Sequence, residues 1–193
     1  MSRNADNFYF RAKEKGYRSR AAFKLLEMHS KYGFMKENLT ILEIGSSPGG
    51  WTDVIMDWKP AKLICVDIAG HNSSEDPVEI KGDIRNDFTW EKISGYLGNT
   101  PIDLILSDAM AHTSGQHHRD HGMSMELCTS IMDRIPRFLK PGGAVVMKQF
   151  QGDMTESFIK KYSGSFRKAF RTKPPASRLH SSEIYIIFSG FHL

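Results

Sequence analysis

The sequence is poor in features that define several classes of protein. It holds two cysteines, Cys65 and Cys128, in 193 residues. They cannot build a disulfide framework, and both sit in apolar patterns that read as reduced core thiols. No apolar run approaches the roughly 18 residues needed to cross a bilayer. The first twenty residues (MSRNADNFYFRAKEKGYRSR) carry no hydrophobic stretch of the kind a secretory signal needs. Linkers, internal repeats and low-complexity tracts are missing too. These absences lead us to expect a cytoplasmic protein without membrane association. What is present fits one domain: hydrophobic residues make up 40% and charged residues 25%, as in globular chains. The length suffices for a core that needs neither metal nor disulfide.

The net charge of +4 conceals a segregation. Residues 1–40 carry 9 basic and 4 acidic side chains, residues 41–133 carry 6 and 15, and residues 134–178 carry 11 and 2. Two basic flanks around an acidic centre suggest a polyanion on one side and a different ligand held centrally. Basic stretches are also common as plain solvated surface, so this alone does not decide for nucleic acid.

Hydrophobic patterning predicts a helix over 19–32, opened by Ser19 as N-cap and stopped at Gly33. Buried strands follow at 40–45 (TILEIG), 61–67 (AKLICVD), 78–83, 102–108 (IDLILSD) and 144–150 (AVVMKQF). Between them lie helices at 51–58, 87–97 and about 123–139, the last with Pro136 awkwardly inside it. A helix at TESFIKKY and strands near 166–171 and 183–189 close the chain. This rhythm implies an α/β fold with a mostly parallel central sheet and helices on both faces. We expect residues 1–193 to form one domain, with a basic segment and helix over 1–36 packing on a core over 37–193. The long loops at 69–77 and 109–122 both follow carboxyl ends of strands, where open α/β sheets bind ligands.

Gly45-Ser46-Ser47-Pro48-Gly49-Gly50 joins the first strand to its helix. Ser47 stands where a dinucleotide fingerprint wants glycine, and no Gly-Lys-Ser/Thr closes a phosphate loop. What remains is a small-residue turn suited to a nucleoside without phosphates, or a tight turn with no ligand. Asp67, 22 positions after Gly45, can accept both ribose hydroxyls. Asp83, ending the next strand in KGDIR, is placed to receive an adenine amino group. Either could instead be an ordinary turn aspartate. Taken together, the three turns imply adenosine without a diphosphate, and S-adenosylmethionine is the commonest such cofactor.

The sequence at this point resembles the FtsJ-type (RrmJ-like) ribosomal RNA ribose 2′-O-methyltransferases. The matching stretches are SRAAFKL (19–25), LEIGSSPGGW (42–51), VD (66–67), KGDIRND (81–87), DLILSDAMAHTSG (103–115), LKPGGAVVMKQFQGD (139–153) and SRLHSSEIYIIFSG (177–190). They span nearly the whole chain in the family's order. The resemblance implies a Rossmann-like S-adenosylmethionine-dependent methyltransferase fold and a Lys-Asp-Lys-Glu tetrad at Lys24, Asp108, Lys148 and Glu183. It implies donor contacts at Gly49, Trp51, Asp67, Asp83 and Asp108, and with the turn reading the cofactor set becomes Gly45, Ser47, Pro48, Gly49, Gly50, Trp51, Asp67, Asp83, Ile84 and Asp108. Where many members read Met-Ala-Pro-Asn after the Asp108 strand, this chain reads Ala109-Met110-Ala111-His112.

A sulfonium methyl is already activated and a ribose hydroxyl is a poor nucleophile. The chain must therefore align an in-line displacement and remove one proton. Lys148, ending the apolar strand AVVMK, is expected as the base or the hydroxyl-orienting residue, with Asp108 assisting and Glu183 holding Lys24 or Lys148 by an ion pair. Lys24 could instead only snorkel over the core, and Lys148 and Asp108 could form a structural ion pair. RNA contacts are expected at Arg11, Arg18, Arg20, Lys173 and Arg178. His112, His117, His118 and His121 lack zinc-site spacing and cysteine partners, so no metal is expected. The reading implied by the resemblance is 2′-O-methylation of a uridine in large-subunit (23S-type) rRNA, within the large ribosomal subunit and without an obligate protein partner. The alternatives are a tRNA ribose methyltransferase, a non-catalytic RNA-binding assembly factor or a small-molecule methyltransferase.

Overall fold

Short apolar runs rich in β-branched residues become the centre of the sheet, and amphipathic runs become the helices that cover it. The computed structural model describes residues 10, 12–70, 72, 73, 76–110, 114–178 and 181–192. Along the chain the elements are α1 (Ala21–Tyr32), β1 (Thr40–Ile44), α2 (Gly50–Asp57), β2 (Lys62–Asp67), β3 (Val78–Lys81), α3 (Asp87–Leu97) and β4 (Ile102–Ser107). They continue with α4 (His117–Met132), the short α5 (Ile135–Phe138), β5 (Leu139–Phe150), α6 (Thr155–Ser163), β6 (Phe166–Thr172) and β7 (Glu183–Phe191). The seven strands form one sheet in the order β3-β2-β1-β4-β5-β7-β6. β1 to β5 pair in parallel, whereas β7 is inserted antiparallel between β5 and β6.

The side-chain alternation of each strand splits the core into two layers. Leu42, Ile44, Ile64, Val66, Ile105, Val145, Met147, Ile186 and Phe188 face α3, α4 and α6. Ile41, Leu63, Cys65, Leu104, Leu106, Val146, Tyr185 and Ile187 face α1 and α2. The strand order reverses between β1 and β4, so the ligand crevice of such a sheet opens beyond their carboxyl ends.

Three expectations of local structure need correction. α1 begins at Ala21 with Arg20 at its N-cap, while Ser19 Oγ accepts the Ala21 N–H at 3.3 Å. The loop over 109–122 is shorter than its composition suggests, because α4 starts at His117 and ends at Met132, before the backbone that Pro136 would interrupt. β5 starts at Leu139 and not at 144, because it takes in Pro141-Gly142-Gly143 as an irregularity, where two positions along β4 (Ile102 to Leu104) match five along β5 (Leu139 to Ala144).

Candidate active site

A cavity of about 500 Å³ opens at the crevice, lined among others by Gly45, Ser47, Asp67, Gly82, Asp83, Ile84, Asp108 and Lys148. Ile68 and Met110 stand exposed at its mouth, and Met123 and Leu127 of α4 form an apolar wall. This size, shape and mixture of apolar wall with convergent polar groups suits a nucleoside-sized ligand. Pro48, Gly49, Gly50 and Trp51 lie outside that lining. Gly45 has φ +79°, and a Cβ there would come 2.4 Å from Ala109 Cα. Gly49, at φ +104°, would place a Cβ 2.1 Å from the Arg18 guanidinium carbon, and Gly50 faces Ser19. The left-handed backbone thus favours glycine at 45 and 49, and at 45 the Ala109 backbone also leaves no room for a Cβ. The Trp51 indole N–H donates to Ala21 O at 2.8 Å and its ring packs beside Tyr185, which fixes α2 against α1 in the core.

Asp67 ends β2, whereas β3 stops at Lys81 and not at 83, so Asp83 lies two residues beyond its strand. Asp67 accepts the N–H of Ser47 at 2.9 Å and of Ala69 at 2.7 Å, one on each oxygen, which fixes its carboxylate at the cavity wall. A carboxylate has about four acceptor positions, so both oxygens can still take a hydroxyl. Asp83 is bound by Arg85, whose Nε and NH2 atoms reach its oxygens at 2.6–3.1 Å and whose backbone N–H donates to Oδ1 at 2.9 Å. The hydrogen bond and charge of Arg85 hold the Asp83 carboxyl below its ordinary range against the opposing effect of burial. Arg85 therefore belongs to the site, although its sequence context did not single it out.

Four charged side chains from distant parts of the chain converge beside this cavity. Lys148 Nζ donates to Asp108 O at 2.5 Å and lies 3.2 Å from Asp108 Oδ1. Glu183 accepts from Lys24 Nζ at 3.0 and 3.2 Å, and its Oε1 lies 3.8 Å from Lys148 Nζ, so it bridges both lysines. Burial pushes the Glu183 carboxyl up, but Lys24 and Lys148 outweigh it and hold the group below its ordinary value, as a carboxylate. The register explains the convergence: Lys148 pairs with Tyr185 and Phe150 with Glu183 across β5 and β7, so Glu183 and Tyr185 share a face with Lys148. Tyr185 is fully buried and donates its O–H to Asp108 Oδ1 at 2.6 Å. Burial, then Asp108 and Glu183, push its phenol well above the ordinary range, which keeps it a donor. Its position two residues after Glu183 was the available signal, since period two places both on one face.

The end of β5 poses a backbone problem that α4 solves. β4 stops at Ser107 opposite Met147, while β5 continues to Phe150 with only β7 beside it. On the open side, Cys128 Sγ donates to Lys148 O at 3.3 Å, Ser124 Oγ accepts the Phe150 N–H at 3.0 Å and His121 Nδ1 lies 2.7 Å from Phe150 O. Positions 121, 124 and 128 share one helix face, and together they replace the missing strand. His121 Nε2 also accepts the Met154 N–H at 3.3 Å. Together these contacts select the tautomer with hydrogen on Nδ1. Among the described residues no group of three or more His, Cys, Asp or Glu side chains is arranged to hold a metal ion.

Of the residues expected to contact RNA, Arg11 lies outside the described residues, as does His112 of the histidine set. Arg18 is bound to Asp53 through its backbone N–H at 2.7 Å and its Nε at 2.8 Å, which docks the amino-terminal segment on the start of α2. Arg20 is half-buried at the start of α1. Lys173 donates to Ser181 O at 2.6 Å, and Arg178 is exposed.

The chain as a whole is similar to known proteins. The model of the FtsJ-like methyltransferases matches residues 17–191. The ribosomal RNA large subunit methyltransferase E of Picrophilus torridus is 48% identical over 95% of this chain and 96% of its own length. That of Thermoplasma acidophilum is 43% identical over 98% and 94%. A Plasmodium falciparum protein described as a ribosomal RNA methyltransferase has a crystal structure matching with TM-score 0.80 at 34% identity, covering 91% of this chain and 98% of that one. A family match over residues 17–191, with relatives 43–48% identical over nearly their whole length, makes the chain a member of the FtsJ-like methyltransferase family.

Proposed function

We propose that the chain methylates the ribose 2′-hydroxyl of a uridine in large-subunit rRNA, using S-adenosylmethionine, and that residues 1–193 act as one catalytic domain without an obligate protein partner. The observation that carries this reading is the meeting of Lys148 and Asp108 on the wall of a nucleoside-sized cavity, with Lys24 and Glu183 behind them. The names of the relatives supply the rRNA.

S-adenosylmethionine, when bound, supplies an electrophilic methyl group. Asp67 would hold its ribose, Ile84 and Leu127 would flank its base, and Asp108 would face its amino-acid end. That methyl would pass to the ribose 2′-oxygen with the sulfur as leaving group, so the part left to this chain is to receive the hydroxyl proton. In the amine form of Lys148, one N–H faces the Asp108 backbone carbonyl and the other Asp108 Oδ1, which leaves the lone pair for that proton. The ammonium so formed lies between Asp108 and Glu183. Tyr185 fixes Asp108, and Lys24 fixes Glu183, so neither carboxylate turns away.

Lys148→Met tests the assignment. With radiolabelled donor and deproteinised rRNA, tRNA and assembled large subunits as substrates, methyl transfer should fall by at least about 100-fold, while calorimetric donor affinity is retained. Unchanged turnover would remove Lys148 from the chemistry, and transfer confined to tRNA would replace the rRNA reading.

A further inference from the structure

A second groove, away from the cavity, runs along α1 on the side of β6. Lys15, Lys31 and Lys173 line it above Phe23, Tyr32 and Pro174. Among the described residues of that lining Glu27 is the sole acid, and its Oε2 accepts the Ala176 N–H at 3.0 Å, so its charge is committed to the groove wall. At the far end the rings of Tyr32 and Phe170 lie 5.1 Å apart at 38°, with Lys31 Nζ 5.2 Å from the centre of the Tyr32 ring. Phe170 is 37% exposed on the edge strand although a phenyl ring gains by burial, and exposed Lys168 lies two positions before it. Lys24 and Lys31 are seven residues apart on α1, about 10 Å along the axis. The groove's lining on α1 starts beside Lys24, at Phe23 and Leu26, and runs to Tyr32, about two turns further on and away from the catalytic cluster.

Lysines beside an aromatic platform are the chemistry of single-stranded nucleic acid: the ammonium groups meet phosphates and the ring stacks a base without regard to sequence. A protein ligand would need more apolar area or acidic side chains of its own, and a duplex would not offer an open base face. We propose that this groove holds a single-stranded stretch of the substrate RNA flanking the target nucleotide. The proposal rests on the reading of the chain as an RNA methyltransferase.

The test uses the full chain, a fluorescein-labelled single-stranded oligoribonucleotide and its blunt duplex. Lys15→Ala with Lys31→Ala should flatten the dependence of log affinity on log salt by about 1.4, at about 0.7 per lost phosphate contact. Phe170→Ala should weaken single-strand binding about fivefold or more and leave the duplex unaffected. With rRNA as substrate both variants should raise KM and spare kcat, with thermal midpoint and donor affinity as in the parent chain. In the unmodified chain, RNA carrying 4-thiouridine should crosslink to Tyr32 or Phe170. Parental slope and affinity in both variants would overturn the proposal, as would crosslinks confined to other elements. A defect seen only with assembled subunits would also overturn it, by assigning the groove to a ribosomal protein. If the unmodified chain methylated no ribosomal substrate while the variants still lost single-strand affinity, the reaction assignment would fall and the groove would stand.

Discussion

Replacing Glu43 by glutamine should abolish a loss of stability that the parent chain suffers as the pH rises. Glu43 lies in β1, two residues before Gly45, and is 1% exposed. Its Oε2 accepts the hydroxyl of Thr52 at 2.7 Å and the thiol of Cys65 at 3.3 Å. Burial pushes its carboxyl from 4.5 up to about 7, against the opposing effect of those two hydrogen bonds. Burial also raises the Cys65 thiol, which keeps it a donor. The folded chain thus binds this proton more tightly than the unfolded one. The resulting stabilisation is complete below pH 4.5, shrinks as the pH rises and is gone above about 7. At about 1.4 kcal/mol per pH unit the gap amounts to about 3 kcal/mol. Glutamine keeps the volume and an acceptor oxygen but does not titrate. Urea and thermal unfolding of both chains at pH 5 and pH 8 give a difference of differences free of every other titrating group. Because part of the effect is already lost at pH 5, the parent should lose about 2–3 kcal/mol more than the variant, or roughly 4–12 °C at about 2–4 °C per kcal/mol for this size. Parallel pH dependences in the two chains would refute the reasoning and mean that Glu43 is ionised in the fold across this range.

Two further substitutions probe the supports of the site. Tyr185→Phe removes only the hydroxyl that donates to Asp108. A hydrogen bond to a charged group contributes about 1.5–3 kcal/mol, so the thermal midpoint should fall, and kcat should drop about tenfold while donor affinity holds; a stability loss with kcat intact would make Tyr185 purely structural. His121→Ala leaves Phe150 O and the Met154 N–H without their partner on α4. About 2–4 kcal/mol of destabilisation is expected, and hydrogen exchange at Gln149 to Met154 should accelerate well before that of β1; uniform acceleration would show that α4 does not specifically hold the end of β5.

The alternation of strands and helices was legible because it is local. β1, β2 and β4 are buried at nearly every position and read as apolar runs, and α3 begins and ends where its apolar period does. The start of α4 was not legible. His117 to Gly122 is polar and resembles a loop, and it is helical with His121 and Ser124 turned to the exposed backbone of β5. The glycine turn was legible as a turn, yet the groups its glycines approach, Ala109, Arg18 and Ser19, are set by packing between distant segments. Arg18 was legible only as a basic residue; the fold reveals Asp53 beneath it. Asp83 was legible as a strand-end acid, and Arg85, two residues on, takes up its oxygens.

By itself the sequence determined a parallel sheet with acids and glycines at its carboxyl edge, because hydrophobic periodicity and turn chemistry act over a few residues. Which charged groups meet was decided by the tertiary structure. β7 enters antiparallel between β5 and β6, and that pairing sets Tyr185 opposite Lys148 and Glu183 opposite Phe150. A shift of one residue in that register would turn Glu183 and Tyr185 to the other face of the sheet, and no local pattern within either strand fixes it.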